Sequence, residues 1–113
     1  MHELALTEGI LRIVREQAEK NGFTRVLEIR LRVGEYSGII PECLQEFFPI
    51  VSKGTEAEGA ELVIRPVSAS FRCFTCGFEG PIPARTACCP QCGGTAIRMT
   101  AGREFYVENI KVE

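Results

Sequence analysis

Apolar residues in the first fifth of the chain recur at three- and four-residue steps. Leu6, Ile10, Ile13 and Val14, with Gln17 continuing the stripe, share one side, while Arg12, Arg15, Glu16 and Glu19 fall elsewhere on the circumference. That period predicts an amphipathic helix over residues 3–20, ended by Asn21-Gly22, because Gly is well suited to the position just past a helix end. Gly9 inside this stretch costs about 1 kcal/mol relative to Ala; it is either a tolerated weakness or a point where another element comes close. Residues 25–33, "RVLEIRLRV", switch to strict alternation: Leu27, Ile29, Leu31 and Val33 against Glu28, Arg30 and Arg32, a half-buried strand. After the turn-forming "GEYSG", residues 41–53 return to helical spacing. Pro41 suits the first helical position, and Leu44, Phe47, Phe48 and Val51 form the expected buried face. Pro49 lacks a backbone donor and crowds the preceding turn, which predicts a kink or an early end. Residues 54–60 are a loop, and 61–67 and 104–112 are strand candidates.

Between those last two strands the character of the chain changes to Cys, Gly and Pro. The order is helix, strand, helix, strand, cysteine-rich insert, strand. The fold class this predicts is α+β, with an α/β-like arrangement: a small, mainly three-stranded sheet with two helices on one face, plus a zinc-ribbon-like insert bearing two CxxC knuckles. The expected organisation is an α/β domain from residues 1–67, completed by a C-terminal strand at 103–113, and an inserted domain at 68–102.

Charge sharpens that division. Residues 68–103 carry Arg72, Arg85, Arg98 and Arg103 against Glu79, a net +3, so the remainder of a chain with net charge −2 carries −5. All 15 acidic residues are Glu. With no Asp, a Ser–His–Asp set cannot be built, and no catalytic constellation offers itself; the expectation is a protein that is not an enzyme. No apolar run approaches a membrane span, and no basic n-region precedes an apolar stretch, so the expected location is the cytoplasm, where cysteines stay reduced.

The six cysteines are therefore candidate ligands. Cys73-x2-Cys76 and Cys89-x2-Cys92 form two knuckles, each followed by a glycine, Gly77 and Gly93. A tetrahedral Zn(II) takes four thiolates at about 2.3 Å, and two tight turns brought together supply them. Four thiolates leave no open coordination position, so such a site is structural. Disulfides fit a secreted chain better, a redox dithiol needs only one CxxC, and an iron–sulfur centre shares the ligand count. Cys88 competes with Cys89 for the second knuckle, but Cys89-Pro90-Gln91-Cys92-Gly93 is the tighter turn. Cys43, on the second helix, is expected to be a small core residue.

The one histidine, His2, stands in "MHE". The Met1 amine, the His2 amide nitrogen and His2 Nδ1 are joined by short covalent paths, so a metal held by all three closes a five- and a six-membered ring. With the amide deprotonated, all three are nitrogen donors in roughly one plane, which favours Ni(II) or Cu(II) over zinc. Glu3 adds a carboxylate or a backbone nitrogen. The alternative is a plain solvated histidine.

"MHE", "IRLRVGEYSGI" at 29–39, "GTEAEGAELVI" at 54–64 and the "CxxC…CPxCG" knuckles together resemble the HypA/HybF family of nickel-insertion chaperones for NiFe-hydrogenases, over the whole length and in the same order. The resemblance implies a cytosolic metallochaperone that loads Ni(II) at Met1, His2 and Glu3 and holds a structural Zn(II) on Cys73, Cys76, Cys89 and Cys92. It implies work with the hydrogenase-maturation GTPase and delivery to the NiFe-hydrogenase large-subunit precursor, with urease accessory proteins as further partners in some relatives, as a monomer or weak homodimer. This chain departs from some members in having apolar Ile39 and Ile40 where they place an acid, with Glu42 the nearest one downstream. The fourth nickel ligand is left open between Glu3, water and a group from the partner. The competing class is a zinc-ribbon module that binds nucleic acid or protein, for which Arg72, Arg85, Arg98 and Arg103 with Phe71, Phe74 and Phe78 are the available contacts; against the nucleic-acid version stand the small number of arginines and the acidic chain.

Overall fold

The structure, a computed structural model, describes residues 2–83 and 86–113, with side chains from Glu3 onward. Helix α1 spans His2–Asn21. Its buried stripe is Thr7, Ile10, Val14 and Ala18; Ile10 and Val14 fall where the period places them, but Leu6 and Gln17 are only half-buried and Ile13 is 41% exposed, so the buried side is rotated toward Thr7 and Ala18. Glu3 in the first turn and Lys20 in the last suit the helix dipole. Gly22, at φ 75°, closes the helix by donating its N–H to Ala18 O at 2.8 Å. Gly9 has nothing within 4 Å of where a Cβ would sit, so it is a tolerated weakness and not a close approach.

Strand β1 (Val26–Gly34), helix α2 (Pro41–Val51), strand β2 (Glu61–Val67) and, after the insert, β6 (Phe105–Val112) complete the first sheet, in the order β2-β1-β6. Gly34 N donates to Glu104 O at one end of the β1–β6 pair and Glu113 N to Arg25 O at the other, which makes the pair antiparallel. Val26 N donates to Glu56 O and Glu35 N to Val67 O, so β1, α2 and β2 run as a parallel crossover unit. Ile29, Leu31 and Val33 are buried as alternation requires, but Leu27 is 39% exposed while Val26 is buried. At this end the strand's main chain is bonded to the 54–60 loop, Val26 N to Glu56 O, and not to β2 itself. In α2, Leu44 and Phe48 are buried, whereas Phe47 and Val51 are only half-buried. Pro49 lies inside the helix without stopping it at once. Only two residues follow it, so the lost donor falls in the final turn, and Ser52 N still reaches Phe48 O at 3.0 Å. The helices α1 and α2 pack against each other, and burying residues such as Ile10 and Leu44 contributes roughly 1.5–3 kcal/mol each.

The chain falls into two compact units: Met1–Arg32 with Ile39–Arg65 and Tyr106–Glu113, and Val33–Gly38 with Pro66–Phe105. The second contains a small sheet that hydropathy does not predict: β3 (Ser70–Cys73), β4 (Glu79–Gly80) and β5 (Ile97–Ala101), in the order β4-β3-β5. Both pairings are antiparallel, with a bulge in β3–β5 between Ser70 and Phe71. Within this unit Gly34 lies against the backbone of Gly102: a Cβ on Gly34 would collide with the Gly102 carbonyl and lie 2.7 Å from Arg103 N. Gly102 itself sits at φ 127° with its Cβ direction 2.9 Å from Ala69 Cα.

The two glycines are expected to respond to alanine with opposite signs. Gly34→Ala forces backbone to move and is expected to destabilise by about 2 kcal/mol or more, whereas Gly9→Ala is expected to stabilise by up to about 1 kcal/mol. Urea unfolding of the two variants beside the parent chain checks both signs.

Candidate metal centre

Each knuckle is built by the same two backbone hydrogen bonds. Gly77 N donates to Cys73 O at 3.0 Å and Cys73 N to Phe78 O at 2.8 Å; Gly93 N donates to Cys89 O at 2.8 Å and Cys89 N to Gly94 O at 2.8 Å. In both the fifth residue is a glycine with positive φ, 82° at Gly77 and 74° at Gly93, a backbone conformation that side chains with a Cβ rarely adopt. The turn throws the first cysteine inward, so Cys73 and Cys89 are buried, Cys76 is half-buried and Cys92 is exposed.

The two turns face each other. Cys73 Sγ lies 3.7 Å from Cys92 Sγ, Cys76 Sγ lies 3.5 Å from Cys89 Sγ, and all four sulfurs fall within 4.8 Å of one another. A tetrahedron of thiolates at about 2.3 Å from a central zinc has edges of roughly 3.8 Å, so the donor set fits Zn(II) in number, chemistry and size. These contacts are far longer than a disulfide, and all six cysteines are free thiols. Backbone amides already point at the sulfurs: Gln91 N and Cys92 N approach Cys89 Sγ, and Gly94 N approaches Cys92 Sγ, each at 3.4 Å.

Crowding sets the protons. Amides of Cys76 and Thr75 draw the Cys73 thiol down to about 6. The Phe78 amide also pulls Cys76 down, but burial and the neighbouring sulfurs of Cys89, Cys92 and Cys73 outweigh it and push that thiol up to about 12. Burial raises Cys89, yet the amides of Cys92 and Gln91 hold it below the usual thiol range. The Gly94 amide lowers Cys92, but the Cys73 sulfur and burial prevail and raise it. One thiolate forms easily in each knuckle; carrying all four demands a cation among them.

Cys88 is half-buried and stands outside the cluster. Cys43 is half-buried, not the core residue that its helical position suggests. Its thiol is pushed up by burial first and then by Glu3, Glu46 and Glu42.

Met1 and the side chain of His2 lie outside the described residues, as does Arg85. Glu3 is described, and it is only 8% exposed. Its backbone carbonyl accepts a hydrogen bond from Thr7 Oγ1 at 2.7 Å, and its carboxylate Oε2 accepts one from Ile40 N at 3.4 Å. Ile40 is the N-cap of α2 and has no side-chain cap of its own. The Glu3 carboxylate thus serves the start of the second helix, a role the sequence does not reveal because the two residues are 37 positions apart. Glu3→Ala removes this long bond and is expected to cost about 1 kcal/mol, while Glu3→Gln keeps an acceptor and costs less; urea midpoints of the two variants test the ranking.

The chain matches, over residues 1–112, the family model described as "Hydrogenase/urease nickel incorporation, metallochaperone, hypA". It is 40% identical over 114 residues to the hydrogenase maturation factor HypA of Caldanaerobacter subterraneus subsp. tengcongensis, and 39% identical over 113 residues to that of Acidithiobacillus ferrooxidans; in both comparisons all of each chain is covered. Its fold is similar to a solution structure of HypA protein, with TM-score 0.77 and 19% identity over 100% of this chain and 97% of the other. It is similar too to the solution structure of the Ni metallochaperone HypA from Helicobacter pylori, with TM-score 0.70 and 18% identity over 97% and 96% of the two chains. No described helix is long and apolar enough to cross a membrane. With a family match that runs from its first residue through both cysteine knuckles to residue 112, the chain belongs to the HypA family of hydrogenase/urease nickel-incorporation metallochaperones.

Proposed function

We propose that this chain carries Ni(II) from a site at Met1, His2 and Glu3 to the maturation of NiFe-hydrogenase, performs no catalysis of its own, and holds Zn(II) on Cys73, Cys76, Cys89 and Cys92 as a structural ion. The observation that carries the reading is the family match across residues 1–112; the four-sulfur cluster supports its zinc half. Nickel is the cargo. The Met1 amine, the His2 amide and His2 Nδ1 supply nitrogen donors from the chain end, where the ion exchanges readily with a partner. Glu3 contributes through its backbone or by giving up Ile40. The partners this role requires are the hydrogenase-maturation GTPase and the large-subunit precursor, with urease accessory proteins as a second outlet, in the cytoplasm.

Zinc supplies the charge that lets four crowded thiolates coexist. Cys73 and Cys89 provide the buried half of its shell, and the amides of Thr75, Gln91 and Gly94 steady the sulfurs.

Nickel titration of the native-start protein tests the first half. His2→Ala, or any residue added ahead of Met1, is expected to weaken nickel binding by about 100-fold or more while leaving zinc content unchanged; equal affinity in the parent and His2→Ala ends the reading. Protons compete with nickel at the amine and the imidazole. The coordinating amide nitrogen also gives up its proton, so affinity is expected to fall with acid throughout and more steeply as pH drops through about 8 and then about 6.5, where the amine and the imidazole protonate.

Metal analysis and circular dichroism test the second half. Cys89→Ser is expected to lose stoichiometric zinc and the ordered signal of the insert, and Cys88→Ser to keep both. Zinc retained by the Cys89 variant but lost from the Cys88 variant contradicts the assignment.

A further inference from the structure

Across the small sheet, Arg72 of β3 stands directly opposite Arg98 of β5 and, on its other side, opposite Glu79 of β4. Like charges placed directly across a ladder destabilise it. The one described carboxylate near the pair does little to relieve it: Arg72 Nε and Glu79 Oε1 are 3.7 Å apart with side chains 53% and 68% exposed, a contact of small worth. Among the described residues, no ion pair involves Arg98.

Phe74 lies two residues beyond Arg72, on the same face. Its ring is 61% exposed although its chain neighbour Cys73 is fully buried. Both guanidiniums sit over it, at 5.7 Å for Arg72 and 5.6 Å for Arg98, within cation–π range. Phe74 N is fixed to Ala96 O at 2.9 Å, and the residue belongs to the first knuckle. The backbone that carries the ring is therefore fixed before any ligand arrives, which lowers the ordering cost of binding.

We propose that Arg72, Phe74 and Arg98 form a docking site for an acidic segment of a partner protein, with carboxylates on the two guanidiniums and an apolar side chain on the ring. Aromatic and Arg side chains held together are the composition of interface hot spots, and guanidinium forks match carboxylates in pairs. Residues 68–103 carry a net +3 against −5 elsewhere, the sign that such a segment requires. A nucleic acid is the weaker fit: two arginines less one glutamate leave a single net charge here, too little for the many phosphate contacts that hold a polyanion. This site is separate from the nickel donors and does not depend on where nickel binds.

The test uses the zinc-loaded full chain and three fluorescent probes: a hexapeptide of two leucines flanked by glutamates, the same peptide with lysines for glutamates, and a deoxythymidine decamer. The acidic peptide is expected to bind with amide shift changes centred on Arg72, Phe74 and Arg98. Its affinity is expected to fall about tenfold or more in both Arg72→Gln and Arg98→Gln, with zinc content and circular dichroism unchanged, and the basic peptide is expected not to bind. Four results overturn the proposal: no binding of the acidic peptide, binding by both variants as tight as that of the parent chain, tighter binding of the decamer than of the peptide, or loss of zinc from Arg98→Gln, which would assign the arginines to offsetting thiolate charge.

Discussion

The insert depends on four thiol sulfurs held within 4.8 Å of one another. Left as thiols they fill a small polar pocket; as thiolates they repel. Amide donors tip one sulfur of each knuckle toward the anion and crowding holds another toward the thiol, so the backbone has arranged a cluster whose charge is completed only by a cation. The buried apolar residues described in this unit are Val33, Ala69, Cys73, Ile82 and Cys89, against ten, from Ile10 to Leu62, in the other. Two of the five are themselves ligand candidates. Hydrophobic burial therefore cannot carry this unit as it carries the first one, and metal binding would be folding energy here.

The first unit rests on ordinary physics: two amphipathic helices, a central strand buried through Ile29 and Leu31, and a parallel crossover through α2. Its less ordinary feature is at the start of α2, where an isoleucine occupies a position that favours Ser, Thr, Asp or Asn. No side chain caps the first turn from that position, but the N–H of Ile40 itself donates to the Glu3 carboxylate of α1. The residue next to His2 is thus tied to the second helix, and any ligand that recruited the Glu3 carboxylate would release the Ile40 amide. That gives the chain end a physical connection to the fold beyond its covalent one.

Much of this was readable in one dimension because its determinants are local. The knuckles announce themselves through Cys-x2-Cys followed by glycine, and both glycines adopt the positive φ that the turn requires. The helices and the three long strands follow from periodicity to within a residue or two. What escaped was set by distant partners. Leu27 shares the alternation of Ile29 and Leu31, yet it is exposed and Val26 is buried, at the end of the strand where the partner is a loop and not β2. Gly34 has no local signature; only its contact with Gly102 makes it indispensable. Strands β3, β4 and β5 are two to five residues long, so hydropathy has nothing to average over. The Arg72–Arg98 opposition follows from the register of β3 and β5 and was invisible as well, although both residues stood out as charges. At Pro49 the local rule was sound, but its consequence was small so near the helix end.

The central claim is a division of labour between two metals: zinc on sulfur in the insert, nickel on nitrogen at the chain end. X-ray absorption at both metal edges, recorded on one sample of native-start protein loaded with both ions, measures it directly. The account predicts a zinc shell of four sulfurs at about 2.3 Å and a nickel shell of nitrogen and oxygen alone. Sulfur scattering in the nickel shell would contradict it.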